Sequence, residues 1–232
     1  MEKHETQFEA FVTNLGKYNE GELIGEWAGF PMEREQMKEL LNRIGINEEQ
    51  ESYFITDYDF NKNICLSGSF GEHESLDNLN LIGTLLEQHG LSEGAEGYLE
   101  YEGELNLEQL GNLIVQQDAI EYFPYEFQGV EYLKENNASE NLLYGYTLAE
   151  QSGIYQKLKE VVMENHVDYE SYGRNMAINN YVWLMSDGYI DVNTISVDLK
   201  KYSLEELREE AGLSVDIDKA AEQQKEEMVP RM

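Results

Sequence analysis

A long acidic stretch without any basic side chain is the feature that most constrains this sequence. Between Lys62 and Lys134 there is no lysine or arginine. Folded surfaces ordinarily mix acidic and basic side chains. Lysines between the acids relieve the repulsion and form ion pairs with acids three or four residues away on the same helix. Apolar residues separate the acids, so we expect them on folded structure and not in a disordered tail. These acids, named the window acids below, are Glu72, Glu74, Asp77, Glu87, Glu93, Glu96, Glu100, Glu102, Glu104, Glu108, Asp118, Glu121, Glu126 and Glu131.

The negative charge extends over the whole chain. Its 232 residues include 47 Asp or Glu and 16 Lys or Arg, which gives a formal net charge of −31. The segments 1–65, 66–165 and 166–232 carry −8, −16 and −7 of it. At one charge per ~1.7 Å of axis, the net charge corresponds to roughly 50 Å of duplex DNA. Such a field repels nucleic acids and attracts basic proteins; a solubilising or halophilic surface is the alternative explanation.

Composition predicts a folded protein of the cytoplasm. Hydrophobic residues make up 41% of the chain, which is enough for packed cores. The single cysteine, Cys65, has no internal partner for a disulfide, and this fits a reducing compartment. The first residues lack the apolar segment of a signal peptide, and no apolar run approaches the ~18 residues of a membrane helix. We therefore expect cytoplasmic localisation and no membrane partner.

The first part of the chain is predicted to form a small antiparallel sheet with one helix. Apolar alternation and β-branched residues predict strands at 8–15, 23–30 and 51–59. Turn-forming residues lie at 18–21. A helix is predicted over 33–44, because apolar residues recur there at helical spacing and Gly45 follows as a C′ residue.

The middle of the chain is predicted to be mainly helical. Ser75, Asn106 and Ser139 are predicted N-caps, and apolar residues at helical spacing follow them. The predicted helices are 75–90, 106–121, 139–153 and 155–165. The segment 91–103 is rich in Gly and Glu, so a loop or a short extended segment is predicted there. Pro124 is predicted to break the helix that precedes it.

Near the end of the chain the pattern predicts strands again. Residues 181–185 and 189–192 are predicted to form a hairpin around Asp187-Gly188. Ser203 and Glu206 form a capping box for a further helix, and 216–228 is polar and helix-prone. The predicted fold class is therefore α+β. The predicted domains are an N-terminal α+β domain (1–62), an acidic, mainly helical domain (63–135), a C-terminal α+β domain with a hairpin (136–197), and a helical or mobile tail (198–232).

The motifs of common enzyme and metal sites are incomplete in this sequence. His73-Glu74 begins like a zinc-protease helix, but the second histidine is missing. Asp57, Asp59 and Asn61 fit the first ligands of a calcium loop, which then fails at Lys62 and at Gly68. We therefore predict no metal, no cofactor and no catalytic residue. A hydrolase that uses two carboxylates stays open as an alternative, because 47 acids hide any such pair.

Two separated blocks of the sequence resemble the ArdA antirestriction family. The first block, at 12–31, contains an Asn-Leu-x-x-Tyr-Asn-x-Gly pattern followed by Leu-x-Gly-x-Trp. The second, at 167–175, is similar to the family's Asp-Tyr-x-x-Tyr-Gly-Arg-Asp block, with Asn175 in place of the last acid, and 148–153 resembles its antirestriction region. The resemblance covers roughly 8–192, with an expanded middle. The motif residues are Asn14, Leu15, Tyr18, Asn19, Gly21, Leu23, Gly25, Trp27, Asp168, Tyr169, Tyr172, Gly173 and Arg174.

This resemblance implies an elongated protein of three small α+β domains that forms a homodimer. It also implies a function, because ArdA-like proteins imitate bent B-form DNA and occupy the DNA-binding groove of type I restriction-modification enzymes. The target is the methyltransferase core with its specificity subunit. Mobile elements and phages use such proteins to protect incoming DNA in a bacterial host cell. We therefore expect a non-catalytic antirestriction protein that binds this enzyme and no nucleic acid.

The resemblance also divides the candidate residues into two groups. The window acids are expected to bind the partner, whereas the motif residues are expected to be mainly structural. The segment 181–192 is the expected dimer contact. An acidic adaptor or inhibitor of another basic DNA-binding protein stays open as the alternative function.

Overall fold

The computed structural model shows a mixed α+β protein, which confirms the predicted fold class. It describes residues 4–47, 52–60 and 64–213, so the helix-prone segment 216–228 lies outside the described residues. The chain forms two compact units. Unit 1 comprises Met1–Leu91, Gly103–Gln116 and Asp198–Met232, and unit 2 comprises Ser92–Glu102 and Gln117–Val197. The domain boundaries drawn from the sequence stay a prediction.

Six described strands and ten described α-helices are divided between the two units. The strands are β1 Phe8–Asn14, β2 Gly25–Phe30, β3 Tyr53–Asp59, β4 Tyr122–Pro124, β5 Val182–Leu184 and β6 Gly188–Asp191. The helices are α1 Leu15–Asn19, α2 Arg34–Arg43, α3 Leu76–His89, α4 Glu93–Glu102, α5 Leu107–Gln116, α6 Val130–Glu135, α7 Glu140–Gln151, α8 Ile154–Glu160, α9 Tyr169–Asn180 and α10 Leu204–Glu210.

Unit 1 is built on an antiparallel sheet with the strand order β2–β1–β3. Alternation along the central strand directs Phe8, Ala10 and Val12 into the core, where they are completely buried. Phe8 stacks on Phe30 of β2 with 5.4 Å between the ring centroids. The three strands and α2 confirm the predicted sheet and helix. The short helix α1 was predicted only as part of a turn.

Helices α3, α5 and α10 complete unit 1. Ser75 caps α3 as predicted, because its hydroxyl accepts a hydrogen bond from the N–H of Asn78 at 3.1 Å. Asn112 of α5 is fully buried. Its amide donates to the carbonyl of Tyr202 at 2.7 Å and accepts from the N–H of Tyr202 at 2.9 Å. This pair of bonds fixes the segment that leads into α10, where the predicted capping box of Ser203 is present.

Unit 2 combines a second antiparallel sheet, in the order β4–β6–β5, with a close crossing of α7 and α9. Strands β5 and β6 form the predicted hairpin. At the crossing, Gly145 and Gly173 face each other, and a Cβ atom on Gly173 would overlap the carbonyl oxygen of Asn141. The two backbones therefore approach to a distance that only glycine permits.

The segment 91–103 contains helix α4, so the predicted loop is wrong. The hydroxyl of Ser92 accepts a hydrogen bond from the N–H of Ala95 at 3.2 Å, and Gly103 ends the segment with a φ of +82°. A Cβ atom on Gly94 would lie 2.9 Å from the carbonyl oxygen of Ile120. The glycines that indicated a loop thus leave room for neighbouring elements of unit 2.

Three other predictions in this region need correction. The helix predicted to end at 121 stops at Gln116, and Pro124 lies in β4, which tolerates proline because it is an edge strand. The helix predicted over 155–165 stops at Glu160, shortly before Val162 adopts a φ of +57°. The sequence does not predict α6 or α9. In α9 the buried residues are Tyr169, Gly173 and Ala177. These residues are only weakly apolar, so they do not produce the apolar pattern that predicts a helix.

Candidate protein-interaction surface

The window acids are divided between the two units. Nine of them are exposed and four are half-buried, while Asp77 is buried with 8% of its surface accessible. Most of these carboxylates therefore reach solvent. Their role in partner binding stays a prediction. Unit 1 holds Glu72, Glu74, Asp77, Glu87, Glu104 and Glu108, and unit 2 holds Glu93, Glu96, Glu100, Glu102, Asp118, Glu121, Glu126 and Glu131.

Basic side chains rarely reach the exposed window acids. Glu131 lies 4.0 Å from the ammonium group of Lys134. The other eight exposed window acids form no ion pair with any residue that the structure describes. The basic residues pair elsewhere, as Arg43 does with Glu26 at 2.8 Å. The negative field of the exposed window acids is therefore not neutralised within the described part of the chain.

Helix α4 carries a row of acids along one face. Glu93, Glu96 and Glu100 are three and four residues apart, a spacing that places their side chains side by side. Burial, and then the charges of Glu93 and Glu100, raise the pKa of Glu96. The helix rises about 6 Å from Glu96 to Glu100, roughly twice the ~3.4 Å axial spacing of phosphates on one DNA strand. Helix α4 thus presents like charges on a folded helix, at about twice the axial spacing of the phosphates on one DNA strand.

Glu87 of helix α3 has partners inside unit 1, and Asp77 of the same helix is buried. Glu87 pairs with His4 Nδ1 at 2.8 Å and accepts a hydrogen bond from the N–H of Glu5 at 2.8 Å. Burial raises the pKa of Glu87, but these two bonds outweigh it and the pKa is lowered. Asp77 is buried in the first turn of α3, where the helix dipole favours an acid. These contacts give Glu87 and Asp77 structural roles, whatever else they bind.

Asn14 and Gly25 of the first motif block lie inside the sheet of unit 1. The side chain of Asn14 is fully buried; it accepts from the N–H of Lys17 at 2.9 Å and donates to the carbonyl of Ile44 at 3.0 Å. It therefore joins β1, α1 and the end of α2. A Cβ atom on Gly25 would lie 2.6 Å from Cε1 of Phe11, so a larger residue would push β2 away from β1.

Other residues of the first block lie at the surface. Tyr18, Asn19 and Gly21 are exposed, and Tyr18 contacts the ring of Phe54 edge-on. Trp27 has 43% of its surface accessible, because it points to the face of β2 opposite the core. The sequence alone does not distinguish this exposed tryptophan from a core residue.

The second motif block begins helix α9. The carboxylate of Asp168 caps the helix by accepting from the N–H of Ser171 at 2.9 Å. This bond, together with a bond from the Ser171 hydroxyl, lowers the pKa of Asp168. Tyr169 is 3% accessible and stacks on Tyr146 with 4.2 Å between the ring centroids. Both residues are thus engaged within unit 2.

The rest of the second block follows along α9. Gly173 lies at the crossing with α7, and Tyr172 is half-buried. Arg174 is exposed and lies 3.6 Å from the carboxylate of Glu170, one turn earlier. Its guanidinium group therefore offsets an acid outside the stretch between Lys62 and Lys134.

An apolar groove of about 470 Å³ opens on the surface of unit 2. Ile178 and Tyr181 expose 68% and 69% of their surfaces there. The groove includes part of the segment 181–192, the expected dimer contact, and residues from α4 and α9 that the sequence does not single out. The apolar residues of its lining are Tyr101, Ala177, Ile178, Tyr181, Val182, Trp183, Leu184 and Val192.

Within residues 4–47, 52–60 and 64–213, no three His, Cys, Asp or Glu side chains are grouped so that they could hold a metal ion. None of the helices in those ranges combines the length and the apolar composition needed to span a bilayer.

A protein-family model matches most of the chain. The sequence model of the family described as antirestriction protein (ArdA) matches residues 10–191. The match spans well over half of the 232 residues and includes both motif blocks. No curated protein is similar enough to the chain to count as a match.

Proposed function

The chain belongs to the ArdA family of antirestriction proteins, and we propose that it blocks type I restriction-modification enzymes by occupying their DNA-binding groove as an acidic mimic of DNA. One observation carries this proposal. Eight exposed window acids form no ion pair with any described residue, so their charge is available to a basic partner. Family membership supports the antirestriction role, and the acids supply the physical means.

The proposed mechanism is competitive binding without catalysis. Carboxylates on folded helices take the places of phosphates and meet the Lys and Arg side chains that line the enzyme's groove. The enzyme's methyltransferase core and specificity subunit then cannot hold DNA, so both cleavage and modification stop. This takes place in the cytoplasm of the bacterial host cell. Because many screened charge pairs share the binding energy, the affinity depends steeply on salt.

A protection assay tests this proposal. Unmethylated plasmid carrying a type I site is incubated with the nuclease, ATP and the purified chain, and intact plasmid is measured at several salt concentrations. We expect protection near equimolar inhibitor at about 50 mM salt and a large loss of it at about 200 mM. Full cleavage at low salt and near-equimolar inhibitor would show that the proposal is wrong.

Grouped substitutions test which acids bind the enzyme. The test variant carries Glu→Gln changes at Glu93, Glu96, Glu100 and Glu121. A control variant with the same loss of charge carries them at Glu35, Glu135, Glu160 and Glu209, all exposed and outside the stretch between Lys62 and Lys134. We expect the test variant to lower the slope of log affinity against log salt by up to about 4, and the control to change it less. Equal loss in both variants would mean that only total acidity matters.

The same preparation separates the proposal from its alternative. An acidic adaptor or inhibitor of another basic protein would bind that protein and leave the plasmid unprotected. The probes are a basic nucleoid protein and an RNA polymerase, each titrated with the labelled chain. Tight binding to one of them, together with failure in the protection assay, would favour the alternative.

We further propose that the chain forms a homodimer through the apolar groove of unit 2. The exposed apolar surface of Ile178 and Tyr181 supports this contact, because soluble monomers rarely expose contiguous apolar patches. The double variant Ile178→Asp/Tyr181→Asp is expected to be monomeric in light scattering at micromolar concentration. Tyr132→Asp is the control, since Tyr132 is 68% accessible elsewhere in unit 2. A monomeric unmodified chain at that concentration would overturn this part of the proposal.

A further inference from the structure

A second groove lies in unit 1, between strand β2 and helix α2. Its volume is about 510 Å³. One wall is formed by Trp27, Ala28 and Gly29 of β2, and the other by residues of α2 that include Glu39 and Arg43. Because β2 is one of the two outer strands in the order β2–β1–β3, this groove runs along an open sheet edge.

The backbone of β2 presents unused hydrogen-bonding groups to this groove. Antiparallel pairs alternate between bonded and non-bonded positions. The N–H of Asn14 donates to the carbonyl of Ile24 at 2.9 Å, and the register pairs Ala10 with Ala28. The bonds to β1 therefore use Ile24 and every second residue after it. The N–H and C=O groups of Trp27 and Gly29 point away from β1, and no residue in the described ranges bonds to them.

An apolar surface accompanies these backbone groups. The Trp27 ring, with 43% of its surface accessible, is held edge-on against Phe11 with 5.4 Å between the ring centroids. Strand-adding peptides bind through main-chain hydrogen bonds, and side-chain contacts on alternate residues give them specificity. Trp27 is placed to make such a contact, because its ring lies beside the open edge.

The charges around the groove favour a basic ligand. Glu9, Glu33 and Glu39 belong to its lining. The cations there are already engaged: the guanidinium group of Arg43 is hydrogen-bonded to the carboxylate of Glu26, at distances down to 2.8 Å, and lies 3.8 Å from the carboxylate of Glu39. His4 contacts the carboxylates of Glu87 and Glu33, and the bond to Glu87 raises its pKa. The net field at the groove is therefore negative.

We propose that this groove binds an extended, basic peptide segment of a partner protein, which adds to the sheet as a strand beside β2. Main-chain bonds to Trp27 and Gly29 hold the segment, the Trp27 ring contacts its apolar side chains, and Glu39 and its neighbours attract its Lys and Arg side chains. The site goes beyond DNA mimicry. It would recognise the backbone of an extended peptide, whereas a DNA mimic is recognised by a groove that binds phosphates.

Solution NMR of the full chain tests the proposal without any restriction enzyme. The probe is an acetylated and amidated octapeptide of alternating Lys and Val, which presents basic side chains on one face of a strand and apolar side chains on the other. We expect shifts of the Trp27 and Gly29 amides and of the Trp27 indole, and at least about tenfold slower hydrogen exchange at the two amides, which become ladder donors. A peptide of the same sequence with every amide N-methylated keeps the charge but lacks the donors. It is expected to bind at least tenfold more weakly, as is the peptide with Glu in place of Lys.

A pair of variants on α2 tests the placement of the peptide. Glu39→Lys reverses a charge in the groove, whereas Glu35→Lys reverses an exposed charge on the same helix outside the lining. We expect Glu39→Lys to weaken peptide binding several-fold and Glu35→Lys to weaken it clearly less. Equal loss in the two variants, or equal binding of the N-methylated peptide, would overturn the proposal. Concentration-dependent protection of the Trp27 amide without peptide would also overturn it and would assign the edge to a second copy of the chain.

Discussion

Helices α3 and α4 lie in the same stretch without lysine or arginine, yet they use their acids differently. In α3, Asp77 is buried and Glu87 is hydrogen-bonded to His4 and to the backbone of Glu5. In α4, Glu93, Glu96 and Glu100 share one face and form no ion pair with any described residue. Acids with internal partners stabilise the fold, whereas acids that only repel one another destabilise it. The count of acids therefore does not separate acids that stabilise the fold from acids that are available to a partner, whereas their pairing does.

Gly83 of α3 and Gly97 of α4 also differ in what they approach. A Cβ atom on Gly83 of α3 would lie 2.8 Å from the backbone nitrogen of Pro31, and one on Gly97 of α4 would meet the side chain of Met185. Backbone is fixed by its own hydrogen bonds, whereas a methionine side chain adapts easily. Gly83 thus has a rigid contact in unit 1, whereas Gly97 has a more tolerant contact in unit 2; Gly94 of α4, like Gly83, faces backbone atoms.

The largest expected effect is that of Gly83→Ala. The new methyl group would overlap backbone atoms of Phe30 and Pro31, so we expect unit 1 to lose about 2 to 3 kcal/mol of stability. The chain has two tryptophans, Trp27 in unit 1 and Trp183 in unit 2, so urea unfolding followed by fluorescence in a Trp183→Phe background reports unit 1. Gly71→Ala is the control, because its Cβ would meet only Glu74 Oε1, at 3.6 Å. Equal losses in both variants would contradict the rigid placement of α3.

Gly97→Ala is expected to have a smaller effect in unit 2. The methyl group displaces the flexible end of Met185, while alanine favours the helix by about 1 kcal/mol over glycine. We therefore expect a loss of less than about 1 kcal/mol, measured by Trp183 fluorescence in a Trp27→Phe background. A loss as large as that of Gly83→Ala would remove the contrast between the helices.

The same contrast explains what the sequence predicts well. Helix α3 is predictable because Ser75 caps it and its leucines recur at helical spacing. Helix α4 is missed because Gly94 and Gly97 indicate a loop when composition is considered alone. Their function is to admit Ile120 and Met185, which lie 26 and 88 residues further along the chain than the respective glycine. Local patterns contain no information about contacts of this kind.

The candidate surface is predictable to a similar degree. The sequence locates the window acids, because a stretch without bases is a local property. It does not show that Glu87 is paired with His4, since 83 residues separate the two. It also does not show that Trp27 lines an edge groove, which depends on the strand order. Local chemistry is thus predictable here, whereas the pairing and exposure of a side chain depend on the fold.

The pairing of His4 with Glu87 predicts a pH dependence of unit 1. The bond to Glu87 raises the pKa of His4 above the ordinary histidine value of 6.5, although burial opposes it. A raised pKa gives stability that is complete below the unfolded value and is lost as the pH rises through the folded value. We expect the thermal midpoint of unit 1 to decrease as the pH rises from about 6 to about 8. The corresponding loss in the free energy of unfolding is at most ~1 kcal/mol, because the pair is partly solvated. His4→Gln should abolish this fall; an equal fall in that variant would show that another group titrates.

The smallest expected effect is the most discriminating one. It is whether the removal of a single carboxylate charge stabilises or destabilises the unit that contains it. Glu100 lies four residues after Glu96 and near the C-terminal end of α4, where both the neighbouring charge and the helix dipole oppose an acid. Glu100→Gln is therefore expected to stabilise unit 2 by about 0.5 kcal/mol. It should also lower the pKa of Glu96 in an NMR titration, because one cause of its raised value is removed while burial remains. Glu87→Gln in α3 should instead destabilise unit 1, because the bonds from His4 and Glu5 are weakened. Opposite signs in the two helices would show that α4 keeps its acids at a cost in stability, as expected when an external partner requires them. If Glu100→Gln destabilised unit 2, the acids of α4 would be part of the fold like those of α3, and the main support for DNA mimicry at this helix would be lost.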